Sequence, residues 1–485
     1  MQRLRPLAAI AAGTLALWLA LPAYLNYDTA WSLVWGRELA RGAGPNLEAL
    51  SAPTPHPLGT LVGVILAPLG DAAGDLATLL VLGSLAAVVW LALALGRAWF
   101  GGAAGWIAAA LALTSFPLLT AAGRSYLDLP YLALVLGALA VETRRARAGA
   151  PVLALLAVAG LWRPEAWLFS AAYWAWAARR RPRTEAARLA MLAATAPAAW
   201  LLGDLVLAGD ALHSFTWTRD QAAILGRARG LGALRAALPD KLAHAAGLPV
   251  LITGTAGLAL LVGRRPRAGG LAAAALGASL ATAAGLTASG MPVVERYLLL
   301  PLVLLTVLTA GLAAAAGGSL ALRIAPAINF DSPGYPRPER DARPRSRAAA
   351  AMIAGIVALV LLAGSLPGRL GSVLQRRGDL AAQASLRADL HALANRRVLS
   401  ADCARVAVAD HKLIPLLALW TGRAPTGFVA GPAAPAVQAY VEPATPAARR
   451  TLLFASSDPA EAAAPPPAGA VEVARDRSWR VRASC

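Results

Sequence analysis

Along the chain, apolar residues gather into blocks of roughly twenty separated by short polar runs, with no period-two alternation inside the blocks. About twenty apolar residues cross some 30 Å of hydrocarbon as a helix. Backbone groups in lipid must be satisfied within their own segment, so each block predicts a membrane helix rather than a strand. The pattern predicts about eleven crossings, over 6–25, 73–97, 101–120, 127–143, 150–162, 164–178, 186–207, 246–262, 268–289, 297–316 and 350–367. The fifth and sixth are short and flank Arg163, Pro164 and Glu165, so this pair reads either as two crossings or as a re-entrant hairpin. The first block follows Arg3 and Arg5 and reads either as a cleaved signal peptide or as a retained helix. Its apolar stretch is long for a signal, which favours the helix.

Four regions fall outside this pattern. The loop 26–72 contains an amphipathic stretch, 29–41, rich in Trp, which predicts a helix lying in the membrane interface. Residues 58–70 suggest a second such helix, and 208–245 form another long loop with a helix-like segment. Residues 325–349, rich in Pro and Arg, read as a disordered cytoplasmic linker. Beyond 367 the apolar density falls: 372–396 is an amphipathic helix, 405–409 and 469–474 are strand-like, and 479–485 alternates Trp479, Val481 and Ala483 with Arg480, Arg482 and Ser484. Strands mixed with helical pieces predict a small α/β domain. The expected organisation is a membrane module over 1–324, the linker, a last membrane helix at 350–367, and an extracytoplasmic domain over 368–485.

Composition agrees with an α-helical polytopic membrane protein: 58% of the 485 residues are hydrophobic, with a mean hydropathy of +0.57. The net charge of +19 changes the picture only through its distribution. Arg144, Arg145 and Arg147; Arg179, Arg180, Arg181 and Arg183; Arg264, Arg265 and Arg267; and Arg337, Arg340, Arg343, Arg345 and Arg347 all lie between apolar blocks. With the N-terminus inside, eleven crossings put these runs on the cytoplasmic side, as the positive-inside rule asks. The same count puts Asp28, Glu38, Asp71, Asp75, Asp128, Asp204, Asp210 and Asp220 outside. The basic runs lack interleaved aromatics, so nucleic acid is not an expected partner. The two cysteines, Cys403 and Cys485, both fall in the C-terminal domain. In an oxidising compartment they would form a disulfide, the alternative being two unpaired thiols.

Ionisable groups at membrane depth or helix ends are expensive and mark function. Here they gather on the external side: Asp28, His56, Arg124, Asp128, Arg163, Glu165, Asp210, His213, Arg296 and Tyr297. Each has a plainer reading. Asp28 or Asp128 would cap its own helix, Arg124 and Arg296 would snorkel to headgroups, and His56 between prolines would shape a turn. Together they suit transfer from a lipid phosphate. Guanidinium forks bind phosphate oxygens, for which Arg163 and Arg296 are best placed. A carboxylate would take the proton from an acceptor hydroxyl.

The order of these features resembles the GT-C superfamily of membrane glycosyltransferases, which use polyprenyl-phosphate sugars. The likeness covers most of residues 1–300. It comprises one helix, Asp28 heading a long loop, an interfacial helix over 31–44, and Pro55-His56-Pro57-Leu58. Then come a helix ending in Leu95-Gly96-Arg97-Ala98-Trp99-Phe100-Gly101, Arg124 with Asp128, and Leu161-Trp162-Arg163-Pro164-Glu165-Ala166. Gly209-Asp210-Ala211-Leu212-His213-Ser214 and Arg296-Tyr297 complete it. The resemblance implies a mannose- or arabinose-like sugar moved, with inversion and no covalent sugar intermediate, from a polyprenyl phosphate to an envelope glycan, lipid or protein. It implies Asp28 as base, with Asp128 and Glu165 as further catalytic carboxylates. It implies Arg163, Arg296, Arg124 and Tyr297 at the donor phosphate, and His56, Asp210 and His213 at the acceptor loops. One departure is that Asp28 is followed by Thr29, where many relatives have two adjacent acids. Some relatives bind a divalent metal; His56 and His213 are candidate ligands, and no cofactor is assigned. The rival readings are a flippase for lipid-linked sugars and a non-catalytic envelope assembly protein.

Overall fold

The structure is a computed structural model describing residues 5–49, 52–224, 226–328, 343–396, 399, 403–430, 437–454 and 469–485. The helices are α1 (Arg5–Ala20), α2 (Tyr27–Ala40), α3 (Pro57–Leu66), α4 (Ala72–Phe100), α5 (Gly102–Leu113), α6 (Phe116–Gly123), α7 (Asp128–Arg144), α8 (Ala150–Trp162) and α9 (Ala166–Ala178). They continue with α10 (Arg183–Ala208), α11 (His213–Ile224), α12 (Gly230–Ala246), α13 (Leu248–Arg264), α14 (Pro266–Ala288), α15 (Leu299–Ile328) and α16 (Arg343–Asn395). The C-terminal part holds β1 (Val406–Val408), α17 (Ile414–Thr421), β2 (Phe428–Ala430), β3 (Ala439–Pro443), α18 (Pro446–Phe454), β4 (Val471–Arg475) and β5 (Trp479–Ala483).

Among the described residues, five single helices are long and apolar enough to cross a membrane. Two bent pairs, α5 with α6 and α12 with α13, raise the figure to seven, and shorter apolar helices stand beside them. The chain is an integral membrane protein. The bundle is organised on α4, which packs against α1, α5, α7 and α15. Its continuous core includes Leu82, Leu85, Leu95, Leu132, Leu136, Val303 and Leu308. Runs of Ala and Leu give these segments high helix propensity, and their dispersion contacts are the main source of cohesion where lipid replaces water. α8 and α9 form a hairpin closed by Arg163, Pro164 and Glu165.

α16 departs from the sequence reading. The expected last crossing and the amphipathic stretch 372–396 are one 53-residue helix, with Pro367 inside it. Most of the expected linker, 329–342, lies outside the described residues, and 343–349 belong to the helix. Beyond α16 the C-terminal part is a five-stranded sheet in the order β2-β1-β3-β5-β4. β1 is parallel to both β2 and β3, whereas β5 is antiparallel to β3 and β4. The alternation along β5 is realised, with Trp479, Val481 and Ala483 buried. Cys403 and Cys485 are bonded, with Cα atoms 5.4 Å apart.

The expected interfacial helix is corrected. α2 does not lay its Trp face on lipid: Trp31, Val34 and Trp35 are fully buried in a core shared with Leu386, Leu390, Phe428, Trp479 and Val481. An apolar helical face pairs equally well with headgroups or with a protein surface, and here the C-terminal domain covers it. On its other side α2 crosses α3 closely enough that Gly36 faces the backbone of Gly63, and a Cβ on either would collide with backbone. The helix is clamped between two protein layers.

Candidate active site

The site starts from how α2 is held. The Asn26 side chain accepts from Thr29 N (2.7 Å), so Asn26, not Asp28, is the N-cap, and the Asp28 carboxylate is left for other partners. Thr29 Oγ1 donates to Ser125 O (2.5 Å). Ser125 takes a left-handed conformation (φ +49°) and is fully buried, its hydroxyl 3.0 Å from Thr78 Oγ1. This turn between α6 and α7 ties the start of α2 to α4 and sets where α7 begins, and hence where Asp128 stands.

Two ion-pair systems meet here. Arg163 Nη1 is 3.0 Å from Asp128 Oδ1, while its Nε and Nη2 donate to Glu165 Oε1 at 3.0 and 2.6 Å. All three residues are buried. Isolated, any of these charges would be prohibitive at such a depth; paired and hydrogen-bonded, they are tolerable. Beside them Arg296, in the 3₁₀ turn Glu295–Leu298 ahead of α15, donates from Nη1 to Asp28 Oδ2 (2.8 Å). Arg163, Glu165, Arg296 and Tyr297 line one small cavity of about 20 Å³, together with Tyr131, Ser279 and Thr282. Glu165 Oε2 and Arg296 Nε are both buried and have no hydrogen-bond partner. Two buried polar atoms of opposite character without partners, on residues lining one cavity, call for a polar group or a water to satisfy them.

Electrostatics follow from this packing. Burial is the largest influence on the Asp28 carboxyl and would raise it, but the neighbouring positive groups, Arg296 first, together outweigh burial and hold the carboxyl below the usual carboxylate range. His56, the residue preceding α3, is pushed down to about 4 by burial and by the positive charge of Arg163. Its ring lies edge-on to Trp200, with centroids 5.4 Å apart, and its Nδ1 is buried without a partner. It is therefore a neutral ring at neutral pH, next to an ionised Asp28.

The structure brings Asp28, Asp128, Arg163, Glu165, Arg296, Tyr297 and His56 together. It puts Arg124 in a neighbouring group, between Tyr24 and Tyr126, with Arg387 of α16 over the Tyr24 ring (4.0 Å). Asp210 and His213 serve α11 instead. Asp210 accepts from Leu212 N (3.0 Å), and His213 stacks on Trp217. α11 itself is anchored by Asp204, which sequence reasoning listed only as an external acid: it accepts from Ser214 N (2.8 Å) and Ser214 Oγ (2.7 Å). Trp217 Nε1 in turn donates to Ala52 O (2.6 Å), which sets α11 over the segment leading to His56. Tyr131, Ser279 and Thr282 were also missed, although the pair at positions 279 and 282, one helical turn apart in an apolar helix, was a readable signal. Among the described residues no three His, Cys, Asp or Glu converge on a metal position. The residues do not fit a divalent-metal site, because Asp128 and Glu165 are engaged by Arg163, and Asp28 by Arg296.

No protein-family model matches the sequence, and no curated protein matches it either. Solved structures do. The apo crystal structure of ArnT from Cupriavidus metallidurans aligns with a TM-score of 0.53 at 15% identity, over 99% of this chain and 98% of that one. ArnT from the same organism bound to undecaprenyl phosphate gives 0.49 at 15% identity, over 99% and 98%. The archaeal oligosaccharyltransferase AglB from Archaeoglobus fulgidus, in complex with an inhibitory peptide and a dolichol-phosphate, gives 0.48 at 12% identity, over 87% of this chain and 64% of that one. With the first likeness running end to end over both molecules, the chain shares the fold of that ArnT structure.

Proposed function

We propose that this protein is a membrane glycosyltransferase that moves a sugar from a polyprenyl-phosphate donor to an envelope acceptor. The observation that carries the reading is the Asp28–Arg296 pair beside the cavity, with Arg296 Nε still unpartnered. A guanidinium has five donors in a fixed fork. Arg296 gives one to Asp28 and keeps others for the donor phosphate, so donor and base are set side by side. Asp28, ionised and next to the cavity, accepts the proton of the acceptor hydroxyl as that oxygen attacks the anomeric carbon. The bond from that carbon to the donor phosphate breaks with its electron pair going to the phosphate oxygen, where Arg296 stabilises the charge. Direct attack inverts the anomeric configuration.

In this scheme Arg163 is a positioning residue rather than a donor ligand. Its fork is already shared by two carboxylates, and it holds Glu165 at the cavity wall with Oε2 facing no protein donor. Tyr297 shares the lining, and in this scheme it contacts the donor. Arg124, Asp210 and His213 stand away from the pair and fit outer roles in docking the acceptor or lipid. The N-terminus inside, eleven crossings, and an external C-terminal domain over 368–485 complete the proposal. A mannose- or arabinose-like sugar is the donor class to test first.

The test is transfer or hydrolysis of a panel of polyprenyl-phosphate sugars by purified protein in nanodiscs, wild type against Asp28→Asn. Loss of a positioned base is worth about 10²–10⁴-fold. A variant that folds and binds as wild type yet loses at least a hundredfold in kcat supports the reading, and undiminished turnover defeats it. Translocation of the lipid-linked sugar without transfer would favour the flippase.

A further inference from the structure

The end of the bundle away from the candidate site carries a charged surface for which the transfer reading has no use. α7 runs from Asp128 to Arg144, and at 1.5 Å per residue its arginine end stands roughly 25 Å from the site. α8 returns to Arg163, and α9 leads away from Glu165 to Arg179. The turns 145–149 and 179–182 therefore share that far end, and they interlock. Arg181 Nη2 donates to Arg147 O (2.5 Å), and Arg181 also pairs with Glu185 at the start of α10. Glu142, buried, accepts from Arg147 N (2.5 Å), Ala148 N (3.2 Å) and the Tyr173 hydroxyl (2.7 Å). That hydroxyl in turn accepts from Gly149 N (2.9 Å). The Arg147 guanidinium lies over the Trp176 ring, 4.8 Å from its centroid.

This network occupies both nearby carboxylates and leaves the remaining cations without one. Arg144, Arg145, Arg179 and Arg180 are exposed, and among the described residues none of them forms an ion pair. Positive loops at a membrane surface need only carry their charge. These two are folded against each other as well, which holds one arginine pair beside the other. Next to them Leu168, Ala171 and Ala175 form an exposed stripe along α9 that ends at the exposed Trp176, and tryptophan marks the membrane interface. An occupant that satisfies both parts has acyl chains for the stripe and one phosphate for each arginine pair. We propose that this surface binds a phospholipid with two phosphates in one headgroup, Arg144 and Arg145 taking one and Arg179 and Arg180 the other. Such a site stands whether or not the protein transfers sugars.

Melting of the purified full chain in detergent tests this, titrated with cardiolipin, phosphatidylglycerol or phosphatidylcholine. Cardiolipin should raise the melting temperature saturably, phosphatidylglycerol should act more weakly at the same total charge, and phosphatidylcholine should do nothing. Arg144→Gln with Arg145→Gln, and separately Arg179→Gln with Arg180→Gln, should raise the half-saturating cardiolipin roughly tenfold or more. Arg264→Gln with Arg267→Gln removes as many exposed charges from the turn between α13 and α14 and should leave it unchanged. Cardiolipin and phosphatidylglycerol acting alike at equal charge, or the control pair weakening binding as much as the others, reduces the surface to nonspecific charge and overturns the site. Inorganic pyrophosphate reproducing the stabilisation overturns its lipid part. Native mass spectrometry of the wild type needs no variant that folds: a single cardiolipin retained per chain is expected. None retained, or a continuous ladder of cardiolipin and phosphatidylglycerol alike, overturns the proposal.

Discussion

At the scale of single residues, the site is a set of charges whose partners decide what each can do. Asp28 was readable from sequence as an acid at the head of a loop, but a helix cap was an equal reading until Asn26 took that role. Arg163 and Glu165 are two apart in sequence and were legible as a pair; their third member, Asp128, arrives from another helix and was not. His56 gives a pH test with a definite sign. Its folded value of about 4 lies below the ordinary 6.5, so between those values the unfolded chain binds a proton that the folded one refuses. The neutral ring's contribution to stability is therefore full above about pH 6.5 and is lost as pH falls toward 4. The melting temperature in detergent should drop over that window, and His56→Gln should flatten the drop by an amount worth roughly 3 kcal/mol at most. Asp28, by contrast, stays ionised until below the usual carboxylate range, so transfer should show no acid limb near pH 6.5.

At the scale of elements, helices were easy to read and their partners were not. Apolar blocks located α4, α10 and α14 within a few residues, and α15 at its start though not at its end, because length and composition alone mark a span. α2 shows the opposite case: its apolar face was legible, but a headgroup layer and a folded domain make the same demand on sequence. The strands β2 and β3 escaped because three to five residues of mixed character carry little pattern, whereas β5 announced itself by strict alternation. The α2–α3 crossing gives an element-scale prediction. A methyl at position 63 would be driven into the backbone of Ser32, in the turn following Asp28. Gly63→Ala should force the helices apart, destabilise the protein by about 1–3 kcal/mol as overpacking usually does, and lower turnover by moving Asp28 relative to Arg296. A crossing that tolerated alanine with unchanged melting and activity would show that this contact is slack.

At the scale of the molecule, the C-terminal domain packs on the elements that carry the candidate site rather than standing apart as an appendage. Arg37 of α2 reaches the end of α17, and Arg387 of α16 lies over Tyr24, which leads into the Asp28 turn. The disulfide closes a loop of 82 residues around this domain, for which chain-entropy arguments give about 4.5 kcal/mol, against a typical contribution of about 2–4 kcal/mol. Cys485→Ser should lower the unfolding temperature of the C-terminal domain and make its tryptophan emission more sensitive to urea. Turnover should fall with it, since the domain's surface supports α2. Intact activity alongside a destabilised domain would separate the two.

The core shared by Trp31, Trp35 and Trp479 also has a history in time. A ribosome makes about 5–20 residues each second, and 382 residues separate Arg37 from its partner at Leu419. The first loop therefore waits on the order of tens of seconds, its tryptophans bare, before the surface that covers them is synthesised. During that interval the apolar face of 29–41 is one that a lipid interface can cover. The helix thus meets the surface that covers it only after nearly four hundred further residues have been made.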